Sequence, residues 1–334
     1  MNSLRTLLVH QLKSNKPKLN HGGFTLIELL VAMIVAVLII APLLRFMITI
    51  VDTDRKEQAK ATSEQEIQAA MDYIARDLEQ AVYIYDNSGV ERDNAGKPEE
   101  SGIRNQIPPI ANEVGGCKED NCTPVLVFWK RKHFDRTDTV DGTRIGDFTN
   151  ENDTFVYALV AYYLITDKND TWSDIARIGR FEVYDQVIDV TSNQPNAVGI
   201  PASPGFQSFN LSDTKGSSLK EKLNQWEKDD IPYETQAQIL VDYIDNTATT
   251  EITPDCPSVF PKSDDKDDLQ VPKDIKGGFY ACVDAEKRIA QVFLRGNALA
   301  RLKNNPKDYE YKPNRSSYFP TVTMQIEGRG FLND

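Results

Sequence analysis

The chain has 334 residues, 26% of them charged, and its 50 acids against 38 bases give a formal net charge of −12. That balance argues against direct nucleic-acid binding, which needs clustered Lys and Arg on phosphate. The length suits one large folded unit, or one with a subdomain, and no internal repeat is present.

The first element is a basic leader. Met1 to Gly23 carries Arg5, Lys13, Lys16 and Lys18 and no acid. Positive flanks stay on the cytoplasmic side of a membrane. Phe24 to Val51 follows, long enough to cross a hydrocarbon core that needs about 20 residues. Its stretch from Leu29 to Leu44 has no charge. Glu28 is the exception near its start, because an ionised carboxylate in hydrocarbon costs at least a few kcal/mol unless it is paired. Pro42 removes one helical hydrogen bond, and Arg45 is expected at the far interface.

The run Gly22-Gly23-Phe24-Thr25-Leu26-Ile27-Glu28-Leu29-Leu30-Val31-Ala32 resembles the class III signal of type IV pilins and type II secretion pseudopilins. The resemblance covers about ten residues and is specific. It implies that a prepilin peptidase cuts between Gly23 and Phe24 and methylates the new amine of Phe24. It also implies that Glu28 pairs with the first residue of a neighbouring subunit. An ordinary secretory signal is cut after its apolar region; here the cut precedes it, so the apolar run stays as a stem. The implied partners are other pilins or pseudopilins, the inner-membrane assembly platform and its ATPase. The implied location is the inner membrane, as a single pass with the leader cytoplasmic and the head periplasmic, and then a filament. Removing a +4 leader from a chain of −12 leaves −16 on 311 residues, a charge that suits solubility outside the cytoplasm.

Beyond the membrane, Ile67, Ala70, Met71, Ile74, Leu78, Ala81, Val82 and Tyr85 recur at three- and four-residue steps. They predict an amphipathic continuation of the helix over residues 52–85, with Glu64, Glu66, Asp72, Arg76, Asp77 and Glu79 solvated. Asn87-Ser88-Gly89 ends it. The stretch from Ala70 to Ala81 is similar to the helix end of minor pseudopilins of the J type.

Residues 86–334 read as a β-rich head. Strands are expected at Val125 to Arg131, Phe155 to Ile165, Ile178 to Tyr184, Ile239 to Ile244, Phe279 to Val283, Ile289 to Leu294 and Thr321 to Ile326, from their Val, Ile, Tyr and Phe content and turn-forming borders. Phe155 to Ile165 is apolar on both faces and belongs at a sheet centre. The segments 86–122, 136–153, 191–235 and 245–276 are long for plain connections, so they are either ordered insertions or mobile surface; a short helix fits Leu219 to Trp226. The expected fold is α+β: a pilin-like long helix packed on an antiparallel sheet with long insertions.

The cysteines are Cys117, Cys122, Cys256 and Cys282. An even count outside the membrane segment points to disulfides. Of three connectivities, Cys117–Cys122 and Cys256–Cys282 are expected. Zinc is the alternative, but the C-x4-C spacing is loose and lacks a His pair. Asp264, Asp265, Asp267 and Asp268 form an acidic run that could ligate calcium, without the EF-hand spacing; no other metal and no cofactor is expected.

Catalytic motifs are sparse. Of His10, His21 and His133, two belong to the leader, so a nucleophile–His system would need His133. There is no G-x-S-x-G elbow. Gly89 to Lys97 lacks the glycine spacing of a phosphate loop. Paired carboxylates of the glycosidase kind could hide among so many acids. Val292 to Arg301 looks like a segment of the pseudopilins of hormogonium polysaccharide secretion, a family whose apparatus supports polysaccharide export and gliding. Read from its residues alone it is an edge strand entering a turn at Gly296-Asn297.

Two functions compete. One is a structural minor pseudopilin, with the minor pilin of a retractile type IV pilus as its near variant. The other is a membrane-tethered enzyme or carbohydrate-binding module, for which Trp129, Trp172 and Trp226 offer either sugar stacking or core packing.

Overall fold

The computed structural model describes residues 23–111, 114–134, 139–140, 143–144, 154–188, 198–212, 214–247, 255–263 and 266–330. The chain divides into two units, Met1–Asp54 and Arg55–Asp334. One 53-residue helix, α1 (Leu26–Leu78), contributes to both.

In the first unit, every described residue from Gly23 to Asp54 is exposed. The helix passes through Pro42. Its hydroxyls are satisfied internally: Thr49 Oγ1 donates to the Arg45 carbonyl at 2.9 Å and Thr53 Oγ1 to the Thr49 carbonyl at 2.8 Å. Such back-bonding lets threonine enter an apolar medium without an orphaned donor.

In the second unit the helix becomes one-sided. Ala59, Ser63, Ile67, Ala70, Met71, Ile74 and Leu78 are buried at three- and four-residue steps, as the periodicity predicts. The helix stops at Leu78, however, and Ala81–Ile84 is a strand, β1. This corrects the expected helix end near Tyr85. Ala-Val-Tyr-Ile is buried on both faces and pairs with a neighbouring strand, with Tyr83 opposite Trp129 and Ile84 opposite Phe128. The aromatic and β-branched content of the run favours that pairing, and tertiary packing overrides a helical period that the same residues also satisfy.

The chain then forms α2 (Asn87–Glu91), β2 (Cys122–Phe134), β3 (Thr139–Val140), β4 (Thr143–Arg144), β5 (Thr154–Ile165), β6 (Ala176–Tyr184), β7 (Val187–Ile188), β8 (Val198–Ile200), α3 (Leu219–Leu223), β9 (Gln238–Ile244), α4 (Cys256–Val259), β10 (Gln270–Val271), β11 (Phe279–Asp284), β12 (Ile289–Arg295), α5 (Pro306–Tyr309) and β13 (Thr321–Glu327). An antiparallel sheet has the order β1-β2-β5-β6-β9. A second, also antiparallel, runs β10-β11-β12-β13, and β3-β4 and β7-β8 are small pairs. All seven expected strands are present, and β5 holds the centre of its sheet. The architecture is α+β and consistent with a pilin-like fold. The buried face of α1 and the apolar faces of both large sheets share one core.

β12 departs from its expectation. It lies between β11 and β13 and is not an edge. Its end is fastened to the first sheet: Ile244 bridges Gly296, and Arg295 Nε meets Asp245 Oδ2 at 2.7 Å with both side chains buried. A side chain at Gly296 would come within 2.8 Å of Ser63 Oγ on α1, so glycine permits the helix to approach there. After β13, Arg329 N donates to the Glu79 carbonyl and Gly330 N to the Ala81 carbonyl, both at 3.0 Å.

Parts of the third insertion pack against the core of the head. Tyr85 OH donates to the Leu223 carbonyl at 2.9 Å and receives Trp129 Nε1 at 2.8 Å. The rings of Phe206, Phe209 and Trp226 surround Trp129. α3 forms where a short helix is expected, capped by Ser218. Trp129 and Trp226 are thus core residues, while Trp172 is 41% exposed.

Candidate functional site: the start of the long helix

Gly23, Phe24 and Thr25 precede α1 and are exposed, Phe24 to 82%. Thr25 is the residue before the first helical position. Its Oγ1 accepts from Glu28 N at 3.3 Å, while Glu28 Oε2 accepts from Thr25 N at 3.2 Å and Thr25 Oγ1 at 3.0 Å. This is a reciprocal capping box, in which residues three apart satisfy donors left open by the helix start. A carboxylate in the first turn also meets the positive end of the helix dipole. The Thr-x-x-Glu spacing announces the box in the sequence, yet the lone charge in an apolar run and the resemblance drew attention to Glu28 and not to Thr25.

Behind the cap the helix shows apolar side chains outward, including Leu26, Leu29, Met33, Leu38 and Phe46. α1 is long and apolar enough to cross a membrane.

Residues 18–44 match the family model of the prokaryotic N-terminal methylation motif. The motif supports a type IV pilin or pseudopilin subunit, and with the apolar helix it supports a membrane-anchored protein. Proteins of that motif are structural, processed by prepilin peptidase and assembled with other pilins. No curated protein and no solved structure matches the chain.

The head contains a buried charged cluster that sequence reasoning missed. Asp77, expected in solvent, is buried on the last turn of α1. Lys130 Nζ lies 2.6 Å from Asp77 Oδ1, Arg180 Nε 2.8 Å from Oδ2, and Tyr162 OH donates to Oδ2 at 2.7 Å. Glu182 joins through Lys130 at 3.0 Å, and through Arg180 and Lys132. Burial opposes ionisation of Asp77, but the Arg180 hydrogen bond and charge, with Lys130, hold its carboxyl below the ordinary range. Glu182 is likewise desolvated, and Arg180, Lys130 and Lys132 pull it down to about 2. The cluster ties α1 to β2, β5 and β6. Asp77 borders the apolar stripe, three residues from Ile74 and one from Leu78, and this position was its one sequence signal.

The remaining expected sites fall as follows. Cys117–Cys122 and Cys256–Cys282 are disulfides, with Cα–Cα distances of 4.8 and 5.4 Å, both ordinary for such bonds. Asp264 and Asp265 lie outside the described residues. Asp267 is exposed, and Asp268 pairs with Arg92 at 3.5 Å. Among the described residues, no group of three or more His, Cys, Asp or Glu is arranged to hold a metal ion. His133 is exposed, with its ring 4.9 Å from that of Phe155.

Proposed function

We propose that the chain is a minor pseudopilin of the J type, a structural subunit of a type II secretion or type IV pilus-like filament that supports polysaccharide secretion and gliding motility. One observation carries the reading: a Gly23-Phe24 junction and a Glu28 carboxylate stand at the exposed tip of a helix whose outward side chains are apolar. Cleavage at that junction frees the Phe24 amine, and Glu28, already aimed back along the chain toward the Thr25 N–H, supplies its counter-charge on a neighbour. Pairing lowers the cost of holding both charges in an apolar filament core. In this mechanism the assembly platform and its ATPase draw the stem from the membrane, and the apolar stems bundle.

The test is a Glu28→Ala chain in its own cell, with N-terminal mass spectrometry and co-purification of partners. The expected result is a cleaved, methylated Phe24, a folded head, and loss of filament subunits from the co-purified set. Normal incorporation of the variant, or an intact leader in the native chain, sinks the reading. The identity of the co-purified platform separates a secretion pseudopilus from a retractile pilus, which share this stem.

A further inference from the structure

We propose that the groove between α1 and β9 binds a neutral glycan chain, with sugar rings stacked on Trp172 and Tyr73. The groove holds about 680 Å³, within the range of ligand sites. The inference rests on the head alone and stands whether or not the filament reading does.

β9 is the outer strand of its sheet. Side chains of a regular strand alternate between faces, yet residues 239–243 all line the groove. The pairing with β6 carries two irregularities here, one between Ala176 and Ile178 and one between Ile178 and Gly179. Tyr243 takes a φ of 59°, uncommon for a bulky residue. Bulges re-aim side chains and blunt an edge against added strands. This irregular edge is a poor template for an added strand, which disfavours an extended peptide pairing with β9.

Trp172 faces solvent but is held in place. Asn169 Oδ1 accepts from Thr171 N and Trp172 N, both at 2.9 Å. Ser173 donates its N–H and its hydroxyl to the Asp242 carboxylate at 2.9 and 2.6 Å, and Tyr243 N donates to the same group at 2.8 Å. An indole presented on a loop pinned at both flanks loses little freedom when a ligand covers it. Tyr73 stands on the α1 wall, 47% exposed.

The cationic group lining the groove is Arg301. Its guanidinium lies 4.1 Å over the Tyr243 ring and pairs with Glu66, while its Nε–H is buried without an acceptor. A sugar presents an apolar C–H face to an aromatic ring and hydroxyl acceptors around its rim, matching both features. Glu66 balances Arg301, and Asp242 adds a negative charge, so a neutral chain fits better than a uronic-acid chain.

Trp129 and Trp226 are buried away from ligand, so a ligand-induced change in the tryptophan emission of the full chain in detergent, absent from Trp172→Phe, reports Trp172. The probes are cellohexaose, laminarihexaose and mannohexaose, with an alginate oligomer and a mixed peptide library as competitors. The expected result is a saturable emission shift with at least one neutral oligosaccharide. Tyr73→Ala is expected to weaken it about tenfold, the worth of one aromatic contact. Phe155→Ala, an exposed aromatic outside the groove, and Glu28→Ala are expected to bind as the native chain does. Trp172→Phe, followed by calorimetry, retains stacking, whereas Trp172→Ala loses binding. No shift with any neutral probe at millimolar concentration, an unchanged affinity in Tyr73→Ala, or a response to alginate or peptide alone overturns the proposal.

Discussion

The stem, residues 23–54, and the head, from Arg55 onward, bury their groups in opposite senses. The stem leaves Leu26 89% and Met33 71% exposed and folds the hydroxyls of Thr49 and Thr53 back onto its own carbonyls. The head hides Met71, Ile74 and Leu78 and encloses Asp77, Lys130 and Arg295 as well. A helix with unsatisfied apolar surface and few unmet polar groups suits lipid or other stems equally. The head instead pairs its buried Asp77, Lys130 and Arg295 with its own residues. One continuous helix can therefore serve two media, because what changes along it is the face it shows.

Substitutions can break or sharpen that contrast. The largest effect is expected from Asp77→Ala, which leaves three interior or part-buried cations, Lys130, Lys132 and Arg180, to the single carboxylate of Glu182. Loss of one partner from a buried pair costs about 3–5 kcal/mol, seen as a lower melting temperature of the head with membrane insertion unchanged. An equal melting temperature would falsify the role given to the cluster. Replacing Cys256 and Cys282 by serine is expected to cost about 3.5 kcal/mol, against about 2 kcal/mol for the shorter Cys117–Cys122 loop, on the chain-entropy scaling. Paired denaturation curves check the ranking.

Acid should act next. Because Glu182 is held at about 2 against an ordinary 4.5, its contribution is complete above the unfolded value and fades as pH falls from about 4.5 toward 2. Glu182→Gln is expected to flatten that part of the stability–pH curve, and an unchanged slope counts against the pairing. The smallest effect belongs to the stem. Thr25→Ala removes the capping box, worth about 1 kcal/mol, and is expected to speed amide exchange at residues 26–28 about fivefold without moving the head's melting temperature.

Much of this was readable from sequence. The runs at 155–165 and 279–283 are so rich in β-branched and aromatic residues that only strands fit them. The turn from helix to strand at residues 79–81 was not readable, because Ala81, Val82 and Tyr85 satisfy a helical period and a strand composition together. Asp77 was hidden for a related reason: a carboxylate beside an apolar stripe reads as surface until its partners, 53 and 103 residues away, are brought to it. At the helix tip, Gly23, Phe24 and Glu28 stand out by their pattern alone, whereas the groove at β9 depends on irregular pairing that no local pattern encodes.

The hydrogen bonds from Arg329 and Gly330 to Glu79 and Ala81 have a consequence for biosynthesis. Ribosomes deliver the stem early and these residues only after every strand between them. The junction where helix gives way to sheet thus cannot close before residue 330 has been made. The apolar helix therefore emerges well before the residues that clasp its far end to the head.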